Sequence, residues 1–214
     1  LSNDFKKIKN SETIVVSVNF DFKIKNTKKS FNQLKDLFKN IALNINRKAL
    51  IILETTVPPG TSEKVIFPLI KKILKKRKFK NKIFYAYSYE RVMPGVKYYD
   101  SIVNINRCYS GVNLESKNRC EKFLKSFINV KKYPLFRLEN LKDCETSKIL
   151  ENSYRAVNIA FIDEWTKYTN KIGVNLNRVI DGIKFRETHK NIMRPGLGVG
   201  GYCLTKDPSF AKIS

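Results

Sequence analysis

The chain has 214 residues, 42% of them hydrophobic, enough to bury a core in one large domain or one and a half smaller ones. Its 42 Lys and Arg against 19 Asp and Glu give a net charge of +23. No run of about 18 apolar residues occurs, so no membrane-spanning helix is expected, and the opening residues show no apolar secretory core.

Cys108, Cys120, Cys144 and Cys203 have no C-x-x-C spacing, and the sole histidine, His189, is not near them in sequence. A zinc site is therefore not expected, and a reduced, cytoplasmic setting is. The positive charge raises nucleic acid as a partner. Yet the lysines are scattered, alternating with Asn and Ile in 6–10 and 23–26, with no RNA-recognition or zinc-finger signature. The expectation is a general attraction for phosphate-bearing ligands, with neither nucleic acid nor membrane as a partner.

In chain order, the β-branched run Thr13–Val18 predicts a buried strand. Asn19 to Lys29 reads as a loop, with Phe20 and Phe22 available to the core, and Phe31–Ile45 as a helix by its apolar spacing. Ala49–Leu53 is a second buried strand, stopped by Pro58-Pro59-Gly60. Thr61-Ser62-Glu63, cap-type residues, open a helix that ends in Lys75-Lys76. Further strands are expected at Ile83–Tyr87, Val103–Tyr109 and Val130–Leu135, with a helix over Glu115–Ile128. This alternation predicts a doubly wound parallel α/β sheet. After Asn140 the pattern changes: Cys144 to Ile172 holds neither Pro nor Gly and predicts one long helix ended by Gly173, followed by a helix over Leu176–Ile183. The expected division is 1–139 and 140–214.

Arg194-Pro195-Gly196-Leu197-Gly198-Val199-Gly200-Gly201-Tyr202-Cys203-Leu204-Thr205-Lys206-Asp207-Pro208 crowds four glycines into six positions, ahead of a cysteine and a Lys-Asp pair. Such a backbone can approach a ligand closely. The chemistry fits a covalent nucleophile beside a proton-handling pair, or equally a surface turn with a packed cysteine. Gly196, Gly198 and Gly201 spell G-x-G-x-x-G, but the preceding 188–195 is polar and closed by proline, so no strand leads into it and a dinucleotide fingerprint is rejected.

Four separated stretches, Glu54–Thr61, Tyr89–Gly95, Lys148–Phe161 and Gly198–Pro208, in this order and spacing, resemble the UDP-glucose/GDP-mannose dehydrogenase family of nucleotide-sugar oxidoreductases. The resemblance implies an incomplete Rossmann-like domain followed by a helical central domain that dimerises through its long helix. It also implies oxidation of a UDP-sugar C6 alcohol to a carboxylate with two NAD+, for surface polysaccharide biosynthesis. In that reading Cys203 is the nucleophile, Lys148 and Asn152 stabilise the charge developing on the sugar oxygen, and Asp207 handles protons through a water. Glu90 serves hydrolysis, and Thr56 orients its water. Val18, Thr56 and Glu90 are implied at the cofactor, and Arg91, Val92, Lys148, Asn152 and Gly200 at the sugar nucleotide. Taken without the resemblance, Lys148 and Asn152 read as a solvated helix face, Glu90 as a surface carboxylate, Thr56 as an ordinary residue before a proline turn, and Asp207 as a cap for a helix starting at Pro208.

The stretches 90–95, 152–158 and 198–201 look like members that oxidise UDP-N-acetylhexosamines, whereas Tyr202 and Lys206 depart toward the UDP-glucose type. UDP-glucose oxidation is therefore the alternative substrate reading, and a non-catalytic dimerising remnant the alternative of another class. The family's G-x-G-x-x-G unit and its last α/β domain find no counterpart in these residues. The expectation is a fragment, inactive as 214 residues alone.

Overall fold

The computed structural model describes residues 2–20, 27–46, 48–79, 82–93 and 95–213. Of the loop expected over 19–29, residues 21–26 with Phe22 lie outside the described residues, as does Pro94 of the 89–95 stretch, and 27–29 already belong to a helix. Two compact units are present, the first reaching Lys148 and the second spanning Ile149–Ile213.

The first unit is built on a five-stranded sheet in the order β1-β2-β3-β4-β5. A 3-10 turn, Phe5–Asn10, capped by the Asp4 carboxylate, leads into β1 (Thr13–Val16). α1 (Thr27–Asn44) buries Ser30, Leu34, Phe38, Ile41 and Ala42, the helical spacing seen in the sequence, and starts four residues earlier than expected. β2 (Leu50–Leu53) is buried at all four residues and pairs in parallel with β1 on one side and β3 (Phe84–Tyr87) on the other. A central parallel strand is covered on both faces, which is why its sequence is an unbroken apolar run. β1 lies at the sheet's end, so of its four residues only Val16 is buried, and Val15 is exposed.

Between β2 and β3 a π-helical turn over Ser62–Ile66 runs into α2 (Phe67–Lys76). Phe67 N–H reaches back five residues to Ser62 O, a widened turn just ahead of Pro68, which has no N–H to give. Thr61 is already helical and caps nothing; its hydroxyl is hydrogen-bonded to Pro58 O at 2.6 Å. The expected cap at 61–63 is thus not made by those side chains.

Two expected strands are displaced. Residues 100–103 form the short helix α3 (Asp100–Val103), whose end is closed by Asn104 N–H on Asp100 O, and β4 follows only at Cys108–Gly111. β4 pairs antiparallel with β3, a departure from an all-parallel sheet, through Ala86–Gly111 and Tyr87–Ser110. Gly111 is needed there, because a Cβ would meet Ser116 Cβ at 2.8 Å and Lys117 N at 2.9 Å. After α4 (Leu114–Lys125), capped by Asn113, residues 130–133 turn instead of extending. β5 (Phe136–Arg137) begins after Pro134, which cannot donate to a ladder, and pairs in parallel with β4. The α/β, mainly parallel character expected from the sequence holds. Leu50, Ile52, Ala86, Tyr109, Cys120, Leu124 and Ile128 form a core cluster of this unit.

α5 (Leu141–Lys171) begins with Asn140 accepting from Asp143 N–H at 2.8 Å, and ends before Gly173, whose φ of +70° stops the helix. In the second unit, α6 (Leu176–Ile183) matches the expected span and is capped by Asn175. Ile162, Leu176 and Ile180 make a small core with Ile192 and Met193 against it. The glycine stretch then leads to α7 (Tyr202–Lys206) and a 3-10 turn, Asp207–Lys212.

Candidate active site

In the first unit, the segments leaving the carboxyl ends of the three adjacent parallel strands carry Val18, Thr56 and Glu90, the position where open parallel sheets bind ligands. Thr55, not Thr56, ties two of these segments together: its hydroxyl accepts from Val18 N–H at 2.9 Å and donates to Val18 O at 2.8 Å. Val18 keeps 40% of its surface exposed, an apolar face at the strand end, and Thr56 is half-buried.

The segment after β3 is fixed residue by residue. Ser88 Oγ donates to Cys108 O at 3.1 Å, and Met93 N–H to Ser101 Oγ at 2.9 Å. The Glu90 carboxylate accepts from the N–H of Val92 in its own turn. Arg91 stacks over the Tyr89 ring and donates to the Tyr89 hydroxyl and to Asn106 O.

Lys148 is 6% exposed, so it does not lie on a solvated helix face. Its ammonium donates to Glu90 O at 2.8 Å and lies 5.3 Å from the Tyr89 ring. Along α5 the buried positions Leu141, Cys144, Glu145, Lys148, Ile149 and Asn152 recur at helical spacing. Three of the six are polar or charged, an uncommon share for buried positions.

Glu145, fully buried, was not singled out by sequence. Its carboxylate accepts from Gly60 N–H at 2.6 Å and Ser62 N–H at 2.8 Å, supplying the helix cap that Thr61 does not. Burial, the largest effect, raises its carboxyl to about 7 against the lowering pull of these hydrogen bonds. Glu54, at the end of β2 and the first residue of the 54–61 stretch, pairs with buried Arg107 at 2.6 Å. Desolvation raises the Glu54 carboxyl and outweighs the opposing pull of Arg107. The signal available for both carboxylates was an acidic residue set among apolar ones at a strand end or on a helix's inner face.

In the second unit, Asn152 is 1% exposed and its side chain is oriented by two partners. Its amide nitrogen donates to Asp207 Oδ2 at 2.7 Å, and its amide oxygen accepts from Arg155 at 3.1 Å. Asp207 is buried, and its other oxygen takes Lys206 Nζ at 2.6 Å. It does not cap the helix that follows. The Lys206 ammonium lies 4.4 Å from the Phe210 ring and 5.0 Å from the Tyr202 ring, so that charge is held by a carboxylate and two aromatic faces. Cys203 is exposed and sits on the first turn of α7 rather than in a loop. Gly198 and Gly201 adopt φ of +78° and +82°, the left-handed backbone their sequence allows, and Gly200 is exposed between them. The stretch is entered from Arg194, which is hydrogen-bonded to Asn177 and paired with Asp181 of α6. No strand precedes the glycines, in keeping with the rejected fingerprint.

A family model described as the NAD binding domain of the UDP-glucose/GDP-mannose dehydrogenase family matches residues 1–128, and one for the central domain of the same family matches 142–212. The chain belongs to the UDP-glucose/GDP-mannose dehydrogenase family. Val18, Thr56, Glu90, Arg91 and Val92 fall in the part matched by that family's NAD binding domain; Lys148, Asn152, Gly200, Cys203 and Asp207 fall in its central domain. A UDP-N-acetyl-D-mannosamine dehydrogenase of Methanococcus vannielii is 36% identical over 177 residues, which is 82% of this chain and 37% of the relative. A UDP-N-acetyl-D-glucosamine 6-dehydrogenase of Pseudomonas aeruginosa is 30% identical over 80% of this chain and 39% of its own length. Among solved structures of the family, a UDP-D-ManNAc dehydrogenase from Pyrococcus horikoshii superposes with a TM-score of 0.80 at 30% identity, over 98% of this chain and 48% of that one. The chain thus spans less than half the length of these relatives.

Proposed function

We propose that this chain carries the catalytic residues of an NAD-dependent nucleotide-sugar 6-dehydrogenase acting on a UDP-N-acetylhexosamine. The observation that carries the reading is the burial of Lys148, Asn152 and Asp207, each hydrogen-bonded in its own unit, in a chain whose Cys203 stays exposed. Burying charged and amide side chains is costly and persists where chemistry uses them.

NAD+, when bound, supplies the acceptor for both two-electron oxidations. The residues that would hold it are Val18, with its exposed apolar face at a strand end, Thr56 and Glu90. Arg91, Val92 and Gly200 would contact the sugar nucleotide, together with Lys148 and Asn152. The Cys203 thiolate attacks the C6 carbonyl carbon of the aldehyde, forming a C–S bond as the carbonyl π electrons move to oxygen. Lys148 and Asn152 stabilise that oxygen's negative charge. Once the adduct has been oxidised to a thioester, water, oriented by Thr56 and activated by Glu90, attacks it, and the C–S bond breaks to release the acid and restore the thiol. Asp207 passes protons through a bound water. Residues 1–139 then serve the cofactor and 140–214 the cysteine chemistry.

We also propose a homodimer through α5. Leu150, Tyr154, Val157, Phe161, Trp165, Tyr168 and Ile172 are exposed at spacings of three and four, an apolar seam along one helix. Phe161–Trp165 and Trp165–Tyr168 ring pairs run along it at 6.2 and 5.6 Å.

The test is Cys203→Ala in the protein as the cell makes it. NADH formation from UDP-sugars should disappear while folding and nucleotide-sugar binding persist; retained turnover would refute the assignment. Equal loss of turnover and of folding would favour a structural cysteine.

A further inference from the structure

Two segments carry the first unit's share of the proposed chemistry: the one after β2, with Thr56, and the one after β3, with Glu90. Both are fastened by the first two turns of α5. Cys144 Sγ lies 3.7 Å from Tyr87 O, Ser147 Oγ 3.2 Å from the Tyr89 hydroxyl, and Lys148 Nζ 2.8 Å from Glu90 O. For the segment after β2 the fastening is Glu145, whose two oxygens take the N–H groups of Gly60 and Ser62. That segment contains Pro58 and Pro59, which have no N–H, so the two amides held by Glu145 stand where few other backbone donors are available. The contact is reciprocal, since Glu63 accepts from Lys142 N–H at the start of α5.

We propose that Glu145 is a positioning residue for the reaction assigned above: its ionised carboxylate holds the Thr56 segment in place against the helical turn that carries Lys148. The positioning role rests on the dehydrogenase reading, whereas the clasp itself does not.

The groups facing Glu145 are the Ser62 hydroxyl and Glu63 at the start of the π-helical turn, Tyr85 and Tyr87 of β3, and its neighbour Cys144. The Lys64 side chain passes over Gly60. Burial pushes both tyrosines and Cys144 upward, so they stay neutral around neutral pH, and Glu63 adds a further upward push on Glu145. With its carboxyl raised to about 7, Glu145 changes charge around neutral pH. The ionised form accepts at both oxygens; protonation turns one of them into a hydroxyl and weakens its hold on one amide.

The experiment has two arms. In this chain, the amide resonances of Gly60 and Ser62 should move together between about pH 5.5 and 8.5 with one midpoint near 7, and the movement should vanish in Glu145→Gln. Amides that stay still in the wild type across the whole carboxylate range, from about pH 3 to about pH 9, overturn the clasp, whether or not the variant folds. In the protein as the cell makes it, Glu145→Gln should lower kcat on the order of 10²-fold and remove the matching limb of the pH–kcat profile, with KM for the UDP-sugar changed less than about twofold. An unchanged kcat and profile overturns the positioning role. Amides that titrate in a wild-type protein making no NADH would sink the dehydrogenase reading and leave the clasp; still amides in an active enzyme would sink the clasp alone.

Discussion

At Asp207 a single carboxylate holds both the Asn152 amide and the Lys206 ammonium, and all three side chains are withdrawn from water. Asp207→Ala should therefore cost about 3 kcal/mol in unfolding experiments, because it leaves a cation buried without its counter-charge. A cost under about 1 kcal/mol would mean the pair is solvated in practice. Lys148→Met should leave the fold standing and lower kcat by roughly 10²- to 10³-fold, read as NADH formation at saturating substrate. Glu145 makes a pH-dependent expectation. Its folded value of about 7 lies above the ordinary 4.5, so between those values the folded state holds a proton that the unfolded chain releases. The group's contribution is therefore full below about pH 4.5 and lost as pH rises through 7, a swing of roughly 3 kcal/mol. Measured against wild type, Glu145→Gln should look better at pH 8 than at pH 5 by about that amount; an equal difference at both would contradict the raised value. At this scale the sequence was only partly legible. Lys148, Asn152, Glu90, Thr56, Cys203 and Asp207 stood out through the family's motifs, whereas the partners of Glu145 and Arg107 lie far away in sequence, so a local pattern could at most single out the residue and not what it holds.

Among the elements, those whose apolar spacing was long and unbroken were legible: α1, β2, β3, α5 and α6 lie where periodicity places them, within a few residues. The failures have local causes. β4 and β5 were expected too early because 100–103 form a short helix and Pro134 delays the edge ladder. The helix after Pro58-Pro59-Gly60 was expected to cap itself, but its cap comes from α5, about 85 residues on, and a π-helical turn precedes Pro68. Gly111 is an element-scale constraint of another kind, since it lets β4 pass against the start of α4. Gly111→Ala should destabilise by about 2 kcal/mol, as denaturant midpoints would show, because the nearest atoms are backbone and a short side chain that cannot swing away. A neutral Gly111→Ala would mean β4 and α4 can separate at no cost.

For the whole molecule, the +23 charge, which first suggested nucleic acid, belongs to a chain whose family matches cover 1–128 and 142–212 and whose named relatives act on UDP-sugars. Among the described residues, α5 exposes an apolar seam from Leu150 to Ile172. Phe161→Glu should convert a sedimenting dimer to monomer; a wild type that sediments as a monomer at micromolar concentration would refute the interface. The proposed reaction is a four-electron oxidation held together by a cysteine. The most direct measurement is the stoichiometry of NADH against UDP-N-acetylhexosamine consumed by the protein as the cell makes it. Two NADH per sugar, with the uronic acid as the only product, is the expected result. One NADH per sugar with aldehyde released, or none with any UDP-sugar, would contradict it.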